Sequence, residues 1–374
     1  MNLTYDGKRT EKEILLQTSP AAFETFWNDQ PSKLIHGENL NVLKYLLAER
    51  NLGGKIDLVY IDPPFATRRK FKSGKNRIST ISSSGTDDLA YTDDLCGADF
   101  LEFLRERLIF IRELMAENAS IYLHTDYKIG HYVKIIMDEI FGAVNFRNDI
   151  TRIKCNPKNF KRKAYGNIKD LLLFYSKGKD PTWNEPQDDF SDEDIERLFK
   201  KTDADGRLYT TIPLHAPGET KNGKTGAKWR GISPPTGRHW RSAPDVLEQL
   251  DADGLIEWSA NKVPRRKIFA DERTGKKKQD IWDHKDAQYP NYPTEKNAEM
   301  LRSIIDASSN EGDLVLDCFC GSGTTLLAAD EARRNWIGID ESPEAIRSSI
   351  AKLDTDSNFQ ILEQRNVNVK THGA

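Results

Sequence analysis

A four-residue motif with clear chemical potential, Asp-Pro-Pro-Phe at positions 62–65, directly follows an apolar run that starts at Lys55. The Asp62 carboxylate and a nearby backbone carbonyl can both accept hydrogen bonds from one amino group, and Phe65 can stack on the ring that carries it. Because Pro63 and Pro64 have a fixed φ and no N–H, this backbone is stiff. The motif predicts a pocket for an amino-bearing base. A capped Pro-Pro turn of purely structural value stays open as an alternative.

A second motif lies far along the chain, at residues 313–325, with the sequence Asp-Leu-Val-Leu-Asp-Cys-Phe-Cys-Gly-Ser-Gly-Thr-Thr. Its apolar start predicts a buried strand that ends at Asp317, and Gly321-Ser322-Gly323 predicts a tight turn into a helix. Residues 335–340 predict the next strand, whose terminal Asp340 is well placed to bind ribose hydroxyls. The pattern is typical of a nucleoside-binding βαβ unit.

The charge of this second motif favours one class of nucleoside. A dinucleotide fingerprint needs a third glycine where this chain has Leu326, and a P-loop needs a Gly-Lys-Ser/Thr sequence that has no counterpart here. Asp317 would repel a pyrophosphate and attract a cation. S-adenosylmethionine, with its ammonium and sulfonium groups, therefore fits better than NAD. An NAD-type oxidoreductase stays as the alternative enzyme class, and cofactor binding would discriminate between the two.

The elements that must position these motifs alternate between strand and helix, which predicts a doubly wound α/β fold. The apolar spacing predicts strands near residues 34–39, 120–124 and 171–175 and helices over residues 40–47, 99–118 and 130–141. We expect a mostly parallel, Rossmann-like sheet built jointly from residues 34–180 and 290–355. Ligands bind at the carboxyl ends of the strands in such sheets.

Changes in composition along the chain predict its domain organisation. We expect a polar lead-in (1–33), a catalytic half (34–180), an inserted region (181–289) and a cofactor-binding half with a C-terminal tail (290–374). Residues 66–98, basic and then acidic, predict a mobile loop that closes over a polyanionic substrate, with a solvated linker as the alternative.

The overall composition narrows the protein class. The chain has 374 residues, 37% hydrophobic and 30% charged, and no apolar run approaches the roughly 18 residues of a membrane span. We therefore expect a cytoplasmic protein without a signal peptide or membrane contact. The four cysteines and seven histidines form no metal-ligand pattern, so we expect no metal. A net charge of −3 means that any nucleic-acid partner must be met by local basic patches.

Such basic patches lie after the first motif, within residues 151–179, and within residues 228–241 and 262–269. Arginine forks suit phosphates and base edges, and aromatic residues such as Trp229 and Trp240 can stack on bases. The candidates for nucleic-acid contact are Arg68, Arg69, Lys161, Arg162, Lys163, Arg230, Arg238, Arg241, Arg265 and Arg266. A basic solvated loop and an irregular region held by tryptophan packing are the structural alternatives.

The order of the two motifs, with a basic insertion between them, resembles the β class of amino-group DNA methyltransferases. The resemblance covers most of the chain apart from the lead-in and parts of the acidic stretch near residues 188–196. It implies that the 62–65 motif, usually Asp-Pro-Pro-Tyr in the family, grips a flipped base. It also implies that S-adenosylmethionine is bound by Asp317, Phe319, Gly321, Ser322, Gly323, Asp340, Thr294, Lys296 and Glu38.

The resemblance further implies site-specific methyl transfer to adenine N6 in DNA, since cytosine-N4 enzymes of the family more often begin the motif with Ser than with Asp. Hydrogen bonds that hold the amino nitrogen tetrahedral would release its lone pair for in-line attack. A cytosine-N4 methyltransferase and a DNA-binding protein with an inactive methyltransferase fold stay open. The resemblance also suggests a homodimer and is compatible with a restriction endonuclease partner.

Overall fold

The computed structural model of the protein describes residues 2–16, 22–23, 26–64, 70–73, 88–92, 97–157, 163–273, 275–286, 295–353 and 358–365, with 70–73 and 88–92 described by their backbone alone. Its helices are α1 (Glu11–Leu16), α2 (Asn39–Ala48), α3 (Gly97–Leu114), α4 (Gly130–Phe141), α5 (Asp192–Leu198), α6 (Pro244–Ala252), α7 (Ala298–Ser308), α8 (Thr324–Glu331) and α9 (Pro343–Lys352). Its strands are β1 (Ser32–His36), β2 (Ile56–Ile61), β3 (Lys70–Ser73), β4 (Asp88–Thr92), β5 (Met115–Thr125), β6 (Phe146–Ile153), β7 (Lys169–Ser176), β8 (Gln187–Asp188), β9 (Lys201–Thr202), β10 (Leu208–Pro213), β11 (His215–Pro217), β12 (Arg238–Trp240), β13 (Ile256–Trp258), β14 (Pro264–Phe269), β15 (Lys276–Lys277), β16 (Ile281–Asp283), β17 (Leu314–Asp317), β18 (Asn335–Asp340) and β19 (Phe359–Glu363).

Nine of these strands form one sheet in the order β16, β6, β7, β5, β2, β17, β18, β1, β19. Neighbouring strands run parallel except where β7 pairs with β5 and β6. Strands β2 and β17 are neighbours in the middle of the sheet, although they come from distant parts of the chain. The predicted doubly wound, mostly parallel sheet is confirmed.

Alternate residues of the central strands enter two separate hydrophobic cores. Val59 and Ile61 of β2 join the core covered by α2, α3 and α4. Leu58 and Tyr60 join the core covered by α7, α8 and α9. Because a parallel strand buried on both faces needs apolar residues at successive positions, the nearly continuous apolar run of β2 matches its central place.

The chain divides into two compact units, one formed by Met1–Pro186 with Gln279–Ala374 and the other by Gln187–Lys278. The predicted insertion had wider bounds, 181–289. Residues 181–186 belong to the first unit because the Thr182 N–H bonds to the Asn118 carbonyl at 3.0 Å. Where the chain re-enters the first unit, strand β16 already pairs in parallel with β6 of the nine-stranded sheet.

The inserted unit has a four-stranded sheet, in the order β13, β14, β10, β9, and its own small core. Trp229 and Trp240 lie in that core, each 2% exposed, with their rings edge to face. The interpretation of these two side chains as stacking platforms for bases is therefore wrong, because their faces are covered by protein. Tryptophan packing stabilises this region instead.

Three local predictions need correction. Helix α3 ends at Leu114 rather than near residue 118, because Met115 already pairs with Ile56 across β5 and β2. The stretch 66–98, for which we predicted a mobile loop, contains an antiparallel pair of short strands, β3 and β4. The lead-in is not merely polar, since its Ile14 is buried and its Tyr5 hydroxyl donates to Glu102 of α3 at 2.7 Å.

Candidate active site at the carboxyl edge of the sheet

Asp62 and Asp317 meet at the carboxyl edge of the nine-stranded sheet. Asp62 follows β2, and Asp317 ends β17. The two strands pair in parallel with Leu58 beside Val315, so their carboxyl ends lie at the same edge. The edge at which open α/β sheets bind ligands thus carries one acid from each motif.

The two oxygens of the Asp62 carboxylate have different surroundings. Its Oδ2 forms an ion pair with Lys296 Nζ. Its Oδ1 is buried and has no hydrogen-bond partner among the described residues. Pro63 is buried and Pro64 half-buried, whereas Phe65 lies outside the described residues. The site therefore presents one desolvated acceptor, and an amino N–H is the kind of group that would satisfy it.

Asp317 is a buried carboxyl group, 2% exposed. Its Oδ1 accepts a hydrogen bond from the Phe319 N–H at 3.0 Å. Burial raises the pKa of Asp317 to about 7, the Thr325 and Phe319 hydrogen bonds oppose this shift, and the charges of Asp62 and Asp340 add to it. A buried acid of this kind is stabilised in its charged form by a cation, which fits the sulfonium and ammonium groups of S-adenosylmethionine.

The glycine-rich loop after β17 is held by Asp340, at the end of β18. The Asp340 carboxylate accepts hydrogen bonds from the Gly321 and Ser342 N–H groups, each at 2.9 Å. Gly323 has a left-handed φ of +75°, and a Cβ there would lie 2.7 Å from Ser349 Oγ. Glycine is required at this position both by the backbone angle and by the space. Asp340, predicted as a ribose-binding acid, thus also shapes the loop.

Glu38 is part of a network that reaches the same loop. Its side chain caps α2 by accepting hydrogen bonds from two backbone N–H groups of the first turn, and it forms an ion pair with Arg107. Arg107 Nε donates to Asn39 Oδ1 at 2.6 Å, and Asn39 Nδ2 donates to the Cys318 carbonyl at 2.8 Å. We did not predict Arg107, since nothing in the local sequence of α3 signals a buried arginine.

The other residues predicted to bind the cofactor differ in their surroundings. Ser322 is 5% exposed. The half-buried Phe319 has its ring centroid 6.2 Å from that of Phe103. Thr294 lies outside the described residues. Lys296, assigned by resemblance to cofactor binding, forms an ion pair with Asp62.

A buried polar network, missed by the sequence reasoning, leads away from the Asp62 edge. The Tyr60 hydroxyl lies 2.9 Å from His124 Nδ1, and His124 Nε2 lies 3.4 Å from Asp170 Oδ2. Lys154 Nζ donates to Asp170 at 2.6 Å. Burial lowers the pKa of His124, and its ring is therefore neutral near pH 7. The network links the ends of β2, β5 and β7.

The predicted nucleic-acid contacts in the first unit are only partly described. Lys163 is exposed, and the rest lie outside the described residues: Arg68, Arg69, Lys161 and Arg162. Among the described residues, no cluster of His, Cys, Asp or Glu could hold a metal ion, and no helix is both long and apolar enough to cross a membrane.

The arginines of the inserted unit differ in their surroundings. Arg230 forms ion pairs with Glu248 and Asp251. Arg265 donates from Nε to Thr211 Oγ1 at 2.9 Å and is half-buried. The remaining predicted contacts are exposed: Arg238, Arg241 and Arg266. Arg238, Arg241 and Arg266 are the arginines that a DNA backbone can reach without breaking an ion pair among the described residues, whereas Arg230, also exposed, is paired.

The match to known families agrees with the geometry of the site. Residues 56–352 match the family described as DNA methylase, of the N6 and N4 type. The chain belongs to this family. The predicted family of amino-group DNA methyltransferases is confirmed, and the methylase match begins at β2 and ends at the last residue of α9.

Individual relatives cover nearly the whole methylase chain. The type II methyltransferase M.EcaI of Enterobacter cloacae is 39% identical over 367 residues, which are 94% of this chain and 77% of that protein. The DNA adenine methyltransferase YhdJ of Escherichia coli K12 is 23% identical over 352 residues, 93% of this chain and 92% of that protein. The crystal structure of the M1.HpyAVI–SAM complex, at 18% identity and a TM-score of 0.44, covers 86% of this chain and 100% of that one.

Proposed function

We propose that this methylase transfers a methyl group from S-adenosylmethionine to N6 of adenine at specific DNA sites. The observation that carries the proposal is the Asp62 Oδ1 atom, a buried acceptor without a partner among the described residues, at the same edge of the sheet as the buried Asp317 carboxyl. The choice of adenine is supported by the aspartate that begins the 62–65 motif and by the similarity to YhdJ, named as an adenine methyltransferase.

The residues at the edge of the sheet fit S-adenosylmethionine. The buried Asp317 carboxyl would be stabilised in its charged form by a cationic ligand, and the Gly323 turn leaves no space for a side chain. We propose that the cofactor is held by Asp317, Phe319, Gly321, Ser322, Gly323, Asp340 and Glu38. When bound, S-adenosylmethionine supplies an electrophilic methyl group.

The chain's own residues prepare the amino group of the target base. Asp62 Oδ1 accepts a hydrogen bond from the amino group, and the Pro63 carbonyl is the proposed second acceptor. Two acceptors placed below the amino group favour a tetrahedral nitrogen, so its lone pair leaves conjugation with the ring and becomes nucleophilic. The methylated nitrogen carries a positive charge, which the adjacent Asp62 carboxylate stabilises until a proton is lost. Asp62 need not act as a strong base.

The proposed partner is DNA, met by the exposed arginines of the inserted unit and by Lys163. Phe65, Arg68, Arg69, Lys161 and Arg162 stay proposed contacts on the basis of the resemblance. The same resemblance suggests a homodimer. A restriction endonuclease partner and, from the composition, a cytoplasmic location stay proposals.

Product analysis tests the proposal. The purified protein is incubated with labelled S-adenosylmethionine and DNA of mixed sequence, and the nucleosides are separated after digestion. Label in N6-methyladenine supports the proposal, and label in N4-methylcytosine would keep the chemistry but change the base. Cofactor binding without label in any DNA would overturn it.

Substitution of Asp62 tests its role in the same assay. Asp62→Asn should abolish transfer and leave cofactor binding within about threefold, because it replaces an anionic acceptor for the base. Asp57→Asn is the matched control, since Asp57 lies near the other end of β2, where it accepts a hydrogen bond from the Leu314 N–H at 2.9 Å. Full activity of Asp62→Asn would remove Asp62 from the mechanism.

A further inference from the structure

One face of α9 holds the glycine-rich loop through two side chains. Lys352, the last residue of the helix, donates from Nζ to Thr324 Oγ1 at 2.7 Å and to Ser322 Oγ at 3.0 Å. Ser349, one turn earlier, donates from Oγ to the Gly321 carbonyl at 3.0 Å. The loop is therefore fixed to α9 at Gly321 and Ser322 and, where the chain enters α8, at Thr324.

The same lysine also reaches the segment that carries Lys296. Lys352 Nζ forms an ion pair with Glu295, and the two side chains are only 16% and 17% exposed. Solvent and salt screen such a shielded pair less than a surface pair. Glu295 is directly followed by Lys296, whose Nζ pairs with Asp62.

The segment 295–297 is further held by its third residue. Asn297 Oδ1 accepts a hydrogen bond from the Met300 N–H at 3.0 Å and caps α7, while Asn297 Nδ2 donates to the Lys285 carbonyl at 3.0 Å. Consecutive Cα atoms lie about 3.8 Å apart. Glu295, which pairs with Lys352, and the adjacent Lys296, which pairs with Asp62, therefore form a short link between the glycine-rich loop and Asp62.

We propose that Glu295 and Lys352 are positioning residues that set the placement of the glycine-rich loop relative to Asp62. The inference rests on the proposed function, in which the loop holds the cofactor and Asp62 holds the target amino group. In-line transfer needs the reacting atoms about 3–3.5 Å apart, and small misplacements cost large factors in rate. The link Asp62–Lys296–Glu295–Lys352–Ser322 joins the two binding sites through side chains that do not themselves react.

A purely structural role for Lys352 makes a different prediction. A cation at the C-terminus of a helix is stabilised by the helix dipole wherever it points. In that case removal of the Glu295 carboxylate would change stability alone. Arg347 provides a matched control, because it is an exposed basic residue on the same helix.

The test compares Lys352→Met, Glu295→Gln, the double variant, the charge swap E295K/K352E and the control Arg347→Met. Three quantities are measured: the dissociation constant of S-adenosylmethionine by calorimetry, amide hydrogen exchange of peptides spanning 318–326 and 295–302, and the single-turnover methylation rate at saturating cofactor and DNA. The first two do not depend on catalysis.

Lys352→Met should accelerate exchange in the loop and weaken cofactor binding about tenfold, the size expected for a lost charge-assisted hydrogen bond. Glu295→Gln leaves Lys352 on the loop, so it should keep cofactor affinity within about threefold and lower the single-turnover rate about tenfold or more. The double variant should be no slower than the slower single variant, and the charge swap should recover part of the rate. Arg347→Met should match the wild type.

Three results would overturn the inference: an unchanged single-turnover rate in Glu295→Gln, unchanged loop exchange and cofactor affinity in Lys352→Met, or strictly additive effects in the double variant. A wild-type protein that binds the cofactor but methylates no DNA would instead refute the proposed function, while the exchange and binding measurements would still decide whether Lys352 holds the loop.

Discussion

The Nζ atom of Lys296 forms an ion pair with Oδ2 of Asp62. The pair joins the segment just before α7 to the residue that directly follows β2. The resemblance assigned Lys296 to cofactor binding, and the structure places its charge on Asp62, the acceptor proposed for the target base. This pairing leaves Asp62 Oδ1 as a buried oxygen without a hydrogen-bond partner among the described residues.

Substitution of Lys296 separates these two roles. Lys296→Met should lower the transfer rate at saturating cofactor by about tenfold to a hundredfold, because a hydrogen bond to a charged group contributes about 1.5–3 kcal/mol. Cofactor affinity should change less than about threefold, as measured by calorimetry. Lys296→Arg keeps the charge and should recover part of the rate. Loss of cofactor affinity with an intact rate would favour the original cofactor assignment.

Gly323 is expected to be required for cofactor binding. Gly323→Ala places a Cβ 2.7 Å from Ser349 Oγ and 3.0 Å from Ser349 Cα, in a residue whose φ is +75°. The left-handed angle alone costs an alanine about 1–2 kcal/mol. We expect lower stability in chemical denaturation and weaker cofactor binding than in the wild type.

Gly312 supplies the control for this substitution. Its φ is +83°, close to that of Gly323, but no atom lies within 4 Å of an added Cβ. Gly312→Ala should therefore show the backbone cost alone and bind cofactor normally. Equal effects of the two alanines would mean that the contact with Ser349 is unimportant.

The protonation of Asp317 predicts a pH dependence of cofactor binding. Burial raises the pKa of Asp317 to about 7 in the ligand-free protein, and the charges of Asp62 and Asp340 add to this shift. A raised carboxyl pKa stabilises the folded state below the unfolded value of 3.8, and this stability is lost as the pH rises through 7. A cationic ligand prefers the ionised form, so affinity should rise with pH while a proton is released.

Calorimetry between about pH 5.5 and pH 7 checks this prediction, because the cofactor ammonium, an α-amino group, stays protonated in that range. Cofactor affinity should increase roughly tenfold across the range, as expected for a ligand that requires ionisation of a group with a pKa near 7. Asp317→Asn should bind more weakly and show a flat profile. A flat profile in the wild type would contradict the proposed role of Asp317.

The arginines of the inserted unit should contribute unequally to DNA binding. Arg266 is exposed, whereas Arg230 is held by Glu248 and Asp251. Arg266→Ala should weaken DNA binding and reduce the slope of log K against log salt by about 0.9 if it contacts one phosphate. Arg230→Ala should change affinity less, because its guanidinium must leave two carboxylates to reach DNA. Fluorescence anisotropy over a salt series measures both, and a larger loss for Arg230→Ala would refute this ranking.

The local sequence by itself determined the central strands and the two motifs. The apolar runs before Asp62 and Asp317 predict strands buried on both faces, and β2 and β17 have that place in the sheet. The boundaries of α4 and β18 match the predicted 130–141 and 335–340, since Gly142 ends the helix and Asp340 ends the apolar run. These features follow from the periodicity of the apolar residues, from turn residues and from the residues that end strands. All of these signals depend only on neighbours in the sequence.

Only the tertiary structure decided which side chains meet. The parallel pairing of β2 with β17 brings Asp62 and Asp317 to the same edge of the sheet, and no local pattern encodes which strands become neighbours. The links from Arg107 to Glu38 and from Lys352 to Glu295 also join distant segments. A lysine or arginine on a helix has the same local sequence signature whether it faces solvent or a buried carboxylate, because its partner comes from another part of the chain.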